Sequence, residues 1–432
     1  MARSRQRSLT ILAAAAAALM VSTACSSSSK SNSSGGSSTG ASTGASTGAS
    51  TGSSTGAKQT ITVGVLTDLT GQAASGNKTF VNGVKAGTFY AARNGYTIKY
   101  VVADTQTSPT AALSAARQLV TQDHVSVALV ESALAFGAAP YFTAQSIPVI
   151  GVSQDGPEWI TSKNMFALSG VLRQDKVATT AADFFKMQGA TIIGTLGYSI
   201  SPSSAQFAKG QSIAAQHVGL KSGYVNSKFP FGSTDVQPVA LAMKDAHVDG
   251  MTAAVDPNTG FALVTALRNA GAAPKVSLLP TGYGGDLTQA GPGALQAAQD
   301  VYFFVGEEPV EMQTPATKQF VGDLKSAGIT SEPTYAEYNG YLSTGLLVRA
   351  LKSAGSNPSK SSITTALTGI HDYDGLGLWG GRKSDPNDRT NTIAGVDNCL
   401  WFVKLVGSSF QVVKGAAPLC GTEVKGVTVS GS

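Results

Sequence analysis

From residue 60 onward the chain switches repeatedly between two periods. Short unbroken apolar runs alternate with longer stretches in which apolar residues recur every three or four positions, and these read as buried strands and one-sided helices. Strands are predicted at 61–66, 97–103, 125–130 and 147–150, with helices beginning near residues 78, 108 and 136. Ser108-Pro109 supplies a side-chain cap followed by proline at the first helical position, and Leu113, Ala116 and Val120 then fall on one face. The pattern restarts with strands at 191–196, 223–227, 251–255, 276–279 and 301–305, separated by helices at 205–217, 236–247 and 261–269. Three helices follow, at 315–327, 335–353 and 362–370, and two strands, at 393–405 and 409–413, close the chain.

Strand–helix alternation of this kind implies an α/β fold with parallel sheets, here two doubly wound, Rossmann-like lobes in series. The three late helices are placed to return to the first lobe. Open α/β sheets receive ligands beyond the carboxyl ends of their strands, where loops and helix N-termini present N–H groups. Two such edges facing each other would enclose a cleft.

The first 57 residues follow another pattern. Arg3, Arg5 and Arg7 precede an apolar run at 9–21 that includes six consecutive alanines. At about 1.5 Å per residue this run is too short to span a ~30 Å hydrocarbon layer, and it reads as an export signal. It ends in Val21-Ser22-Thr23-Ala24-Cys25, which resembles the lipobox of bacterial lipoproteins, apart from Ser22 where that motif carries leucine. Cys25 is therefore the expected lipidation site, the alternative being an ordinary signal-peptidase site. Residues 26–57 are almost wholly Ser, Thr, Gly and Ala, with five [Ser/Ala]-Ser-Thr-Gly repeats from 37 to 56. They cannot bury enough apolar area to offset chain entropy, so they are read as a tether about 30 Å in r.m.s. span.

Charge is then easily placed. The chain carries +5, but Arg3, Arg5, Arg7 and Lys30 precede residue 58 with no acid among them, leaving 27 basic residues against 26 acidic. A basic nucleic-acid face is not indicated. With Cys25 assigned to lipid, Cys399 and Cys420 remain in an exported body and are expected to form a disulfide, or else to stay as two buried thiols. There is no CxxC, and His124, His217, His247 and His371 have no ligand partner nearby in sequence, so no metal or other cofactor is expected. A literal GxGxxG at Gly375, Gly377 and Gly380 lacks the strand before it and the helix after it, and GxSxG, HExxH and Walker sequences are absent. Catalysis is not expected.

Several segments, in order, resemble the branched-chain amino-acid binding proteins, type I periplasmic binding proteins that serve ABC transporters. They are Val63-Gly64-Val65-Leu66 with Leu69-Thr70-Gly71 and Asn82-Gly83, then Asp104-Thr105-Gln106-Thr107-Ser108-Pro109, then Ile147-Pro148-Val149-Ile150. The 335–351 helix and Tyr373-Asp374-Gly375-Leu376-Gly377 extend the likeness over about 60–415. The resemblance implies two lobes joined by three crossovers. One lobe would be 58–172 with 306–372, the other 173–305 with 373–432, after a signal at 1–24 and a tether at 25–57.

It also implies site residues. In Gly151-Val152-Ser153-Gln154-Asp155-Gly156-Pro157, the positions four and two before the proline, Ser153 and Asp155, would hold a ligand's carboxylate and ammonium, with Gln154 between them. The loop after the third strand, Glu131-Ser132-Ala133-Leu134-Ala135-Phe136, offers Ser132, Ala133 and Phe136, and the 70–76 loop offers Ser75. In the second lobe Asp256 stands at a ligand-contacting tyrosine's place, and Gly282-Tyr283 where branched-chain binders carry the glutamate that pairs with the ammonium. An enclosed ammonium needs a carboxylate or several carbonyls to offset its desolvation, and Asp155 and Asp256 could supply that from opposite lobes. Tyr198, Tyr283, Phe136, Trp159 and Phe261 are candidate wall aromatics or ordinary core residues. The function expected is capture of a small polar solute, an amino acid or related amide or amine, by a monomer anchored at the outer face of the membrane, for delivery to an ABC permease. A sensing subunit on the same fold is the alternative.

Overall fold

The computed structural model describes residues 59–154 and 156–431. The expected signal, Cys25, the tether and Asp155 lie outside the described residues. In the first lobe β1 (Gln59–Thr67), β2 (Tyr96–Asp104), β3 (Val127–Glu131), β4 (Val149–Gly151) and β5 (Met165–Ala167) form one parallel sheet in the order β2-β1-β3-β4-β5. All five residues of β3 are buried, as expected of a central strand covered on both faces. The Pro109–Thr121 helix starts as predicted, with the Ser108 hydroxyl accepting from the Ala111 N–H.

The second lobe holds β6 (Ile192–Tyr198), β7 (Lys221–Phe229), β8 (Gly250–Ala254), β9 (Val276–Leu279) and β10 (Tyr302–Val305), all parallel. Antiparallel β11 (Cys399–Val406) and β12 (Ser409–Val412) extend the sheet beyond β10, and β13 (Leu419–Cys420) pairs with β11. Cys399 and Cys420 face each other across that last pairing and are joined by a disulfide.

Between β10 and β11 the chain returns to the first lobe. The Tyr335–Leu351 helix packs along the Phe80–Arg93 helix and reaches β3 and β4. The two helices touch backbone to backbone: a Cβ on Gly83 would lie 2.1 Å from the Glu337 carbonyl oxygen, and one on Gly340 would lie 2.2 Å from that of Phe80. Only glycine permits that approach. Three connections therefore join the lobes, and they lie side by side. The Val171 N–H donates to the Asp388 carbonyl, the Arg173 N–H to that of Thr392, and the Glu308 N–H to that of Leu378.

The departures from expectation concern short elements. Neither β5 nor the Thr180–Met187 helix was predicted; β5 has three residues, too few for a period to register. The predicted helix near 136 is a 3₁₀ turn, Ala135–Gly137, followed by a short helix, Ala139–Ala144. The strand predicted from 393 begins only at Cys399, because Gly395 takes φ +59° and the Asn398 side chain accepts from the Ile393 and Ala394 N–H groups, curling 393–398 into a loop. Gly375–Gly377 is a 3₁₀ turn in a connection, so the GxGxxG has no strand–helix context.

Candidate functional site

The carboxyl ends of the two parallel sheets border one cavity of about 350 Å³. Ala133, Ser153 and Gln154 contribute from the first lobe, Tyr198 and Asp256 from the second, and Glu307, Tyr335 and Asn339 from the returning chain. Much of the remaining wall is apolar, with Leu168, Leu172, Phe207, Phe231 and Phe304.

The first-lobe wall is organised around Asp68, which stands just after β1 and is 0% exposed. Its carboxylate accepts from Asn77 Nδ2 at 2.7 Å, Ser132 Oγ at 2.7 Å, the Ala133 N–H at 2.8 Å and the Thr105 hydroxyl. One buried acid thus ties together the loops that follow β1, β2 and β3. Sequence reasoning passed over Asp68; an acid directly after a buried strand was the available signal.

The second-lobe wall is built on a helix cap. Asp256 precedes Pro257 at the start of the Pro257–Asn269 helix and accepts from the Thr259 N–H at 3.2 Å and the Thr259 hydroxyl at 2.7 Å. The Tyr198 hydroxyl also donates to it. Burial, reinforced by the adjacent Asp256 charge, pushes the Tyr198 hydroxyl well above its usual range, so it remains a donor. Asp256 lines the cavity, yet three donors already occupy its carboxylate.

Where the lobes meet, three further acids gather. Glu131 ends β3 and is 0% exposed; its Oε1 accepts from Gln154 Nε2 at 3.1 Å and Asn339 Nδ2 at 3.0 Å, while Oε2 has no partner. Asp286, in the Gly285–Gln289 helix, is 1% exposed, and its Oδ1 has no partner. Gly284 and Gly285 bring this helix hard against the returning chain: a Cβ on Gly284, at φ +62°, would lie 2.1 Å from the Pro333 carbonyl oxygen. Glu307 lies on the connection after β10 and is 7% exposed. Burial pushes Glu131 and Asp286 well above the ordinary carboxylate range. Nearby charges add to this, from Asp286, Asp68 and Glu307 at Glu131 and from Glu337 at Asp286. Burial likewise lifts Glu307 to about 7. Among the described residues lining the cavity, the only lysine, arginine or histidine is Lys176, whose Nζ is 3.4 Å from Glu423 Oε1.

Of the residues singled out in the sequence, Ala133, Ser153, Gln154, Tyr198 and Asp256 line this cavity together. Ser132 stands behind the wall, spent on Asp68. Ser75 is beside the lining residue Gly76, its hydroxyl buried without a partner. Phe136 lies in the 3₁₀ turn after β3 and is not part of the lining. Tyr283 donates to Glu311 Oε2 at 2.6 Å and accepts from the Val310 N–H, with its ring against Phe410. Trp159 and Phe261 are core residues. Beside the expected Tyr198, the cavity is lined by Phe207, Phe231, Phe304 and Tyr335, which were not anticipated, although Phe231 sits just beyond the carboxyl end of β7.

A model of the periplasmic binding protein family matches residues 60–409. No curated protein sequence matches the chain. Among solved structures, a leucine-binding protein of Thermotoga maritima aligns with a TM-score of 0.67 at 17% identity, over 82% of this chain and 97% of that one. The substrate-binding protein of a branched-chain amino-acid transporter from Streptococcus pneumoniae, in complex with isoleucine, aligns with a TM-score of 0.66 at 18% identity, over 82% and 99%. An ABC-transporter solute-binding protein from R. palustris, in complex with 4-hydroxybenzoate, gives a TM-score of 0.66 at 17% identity, over 86% and 97%. At these identities the likeness speaks for the fold.

Proposed function

The chain belongs to the periplasmic binding protein family, and from that premise we propose that it is an extracytoplasmic solute-binding lipoprotein that closes two lobes around a small solute and delivers it to an ABC permease. The observation that carries this reading is the cavity bordered by the carboxyl ends of both parallel sheets, with three adjacent connections available as a hinge. Solute contacting both walls favours the closed arrangement, and the permease reads that arrangement. The lobes divide as 58–172 with 306–372 and 173–305 with 373–432. Cys25 carries the lipid, residues 26–57 are the leash, and the protein works as a monomer. Among the described residues no helix is long and apolar enough to cross a membrane, so in this reading attachment rests on acylation. Binding alone suffices, and no covalent step enters.

A thermal-shift screen with amino acids, amides, amines, polyols and aromatic acids tests this reading. A bound solute raises the melting temperature by mass action, whereas a panel that leaves it unmoved at millimolar concentration contradicts solute capture.

A further inference from the structure

We infer that the solute is an organic amine without a carboxylate, its ammonium held between Asp286 and Glu307 with Glu131 behind them, and its apolar body against the aromatic wall. The inference rests on the solute-binding reading and narrows it.

Its basis is an imbalance in hydrogen bonding and charge. Native proteins rarely leave buried carboxylate oxygens without donors, because the desolvation is then uncompensated. Here Glu131 Oε2 and Asp286 Oδ1 are both unpartnered in residues that are at most 1% exposed. Asp286 lines the cavity, and Glu131 is one hydrogen bond behind it, through Gln154 and Asn339. Glu307 completes the group from the connecting chain. The missing partner is a donor, and a cationic one, since the titratable groups nearby are acids or phenols: Asp68, Glu337, Tyr335 and Tyr338. Among the described residues no three His, Cys, Asp or Glu are placed to hold a metal ion. An ammonium, with three N–H donors and looser geometric demands, suits the site better.

Among the described residues lining the cavity, a carboxylate on the same solute would find hydroxyls such as that of Ser153 but no unpaired cation. Lys176 is paired with Glu423, and among the described residues no arginine lines the cavity. A carboxylate close to the ammonium, as in an α-amino acid, would also sit beside the three acids. Phe207, Phe231 and Phe304 instead offer apolar area to an aliphatic or aromatic body. Because Glu131 and Asp286 come from different lobes, their ionised forms oppose closure until a cation offsets their charge. Closure and cation binding are thereby coupled.

The test is calorimetric titration of the full chain with two matched sets of probes: isoamylamine, leucine and 4-methylpentanoate, and phenethylamine, phenylalanine and 3-phenylpropionate. The amine of each set is expected to bind at least about tenfold more tightly than its amino acid, with the acid weakest, and Asp286→Asn or Glu307→Gln each to weaken amine binding by about tenfold or more. The ranking within the unmodified protein does not depend on either variant folding. An amino acid or acid binding more tightly than its amine overturns the inference while leaving solute capture standing, as does unchanged amine affinity in both variants. Absence of binding by all six probes, while an amide or polyol raises the melting temperature, overturns the inference alone. Absence of any response across every class overturns both.

Discussion

Two buried acids stand at the same end of the first-lobe sheet and are treated in opposite ways. Asp68 is enclosed by four donors that tie three loops together, whereas Glu131, its neighbour at the end of β3, keeps one oxygen without a partner and faces Asp286 and Glu307. Burial is the same, and the hydrogen-bond census differs. A buried acid with its donors in place holds the wall in shape, and one left without them is poised for a donor from outside the chain.

Removing Asp68 should show the structural side most strongly. Asp68→Ala strands the Asn77, Ser132, Thr105 and Ala133 donors and is expected to cost about 3 to 5 kcal/mol in urea unfolding; a cost near zero would erase the distinction between the two acids. Next comes a pH effect. The Glu307 pKa is raised on folding from 4.5 to about 7, so between those values the folded protein binds more protons than the unfolded chain. Stability therefore falls as pH rises through that window, by about 3 kcal/mol in all. Glu307→Gln should flatten the slope, measured as melting temperature from pH 4.5 to 7.5 without solute. At the acid end the trend reverses, because the Arg173 guanidinium holds the Asp175 carboxyl below its ordinary range and that contribution is lost as the pH falls.

Asp286→Asn should move opposite to Asp68→Ala. Neutralising a buried acid that keeps one oxygen without a partner is expected to raise the stability of the solute-free protein by about 1 kcal/mol while weakening amine binding. A loss as large as that at Asp68 would make Asp286 structural. The smallest change is expected from Tyr283→Phe, which removes the hydroxyl bonded to Glu311 and Val310. It should cost about 1 kcal/mol or less of stability and leave amine affinity unchanged; a large loss of affinity would return Tyr283 to the binding wall.

The sequence carried the lobes better than the site. Long periodic segments such as the Pro109–Thr121 and Tyr335–Leu351 helices announce themselves through their apolar spacing and caps, and Asp256-Pro257 marks a helix start that also becomes a wall of the cavity. Of the acid group only Glu131 left a trace, at the head of the loop after the third strand. Glu131 ends an apolar strand, Asp286 opens a short helix after two glycines and Glu307 stands in a connection. Each resembles a solvated acid until the fold assembles them. Resemblance pointed to Ser153 and Asp256 because it follows loop positions. It could not show that the Asp256 carboxylate is occupied by its own helix and by Tyr198, since that depends on contacts made across the sheet.

The most direct measurement is the proton balance of amine binding. Burial lifts the Glu307 carboxyl to about 7, so at pH 6.5 the empty site holds a proton on Glu307 that an entering ammonium displaces. Titrating the protein with isoamylamine in buffers of different ionisation enthalpy should give an apparent heat that varies with the buffer in the sense of proton release. Amine binding with a buffer-independent heat would contradict the account.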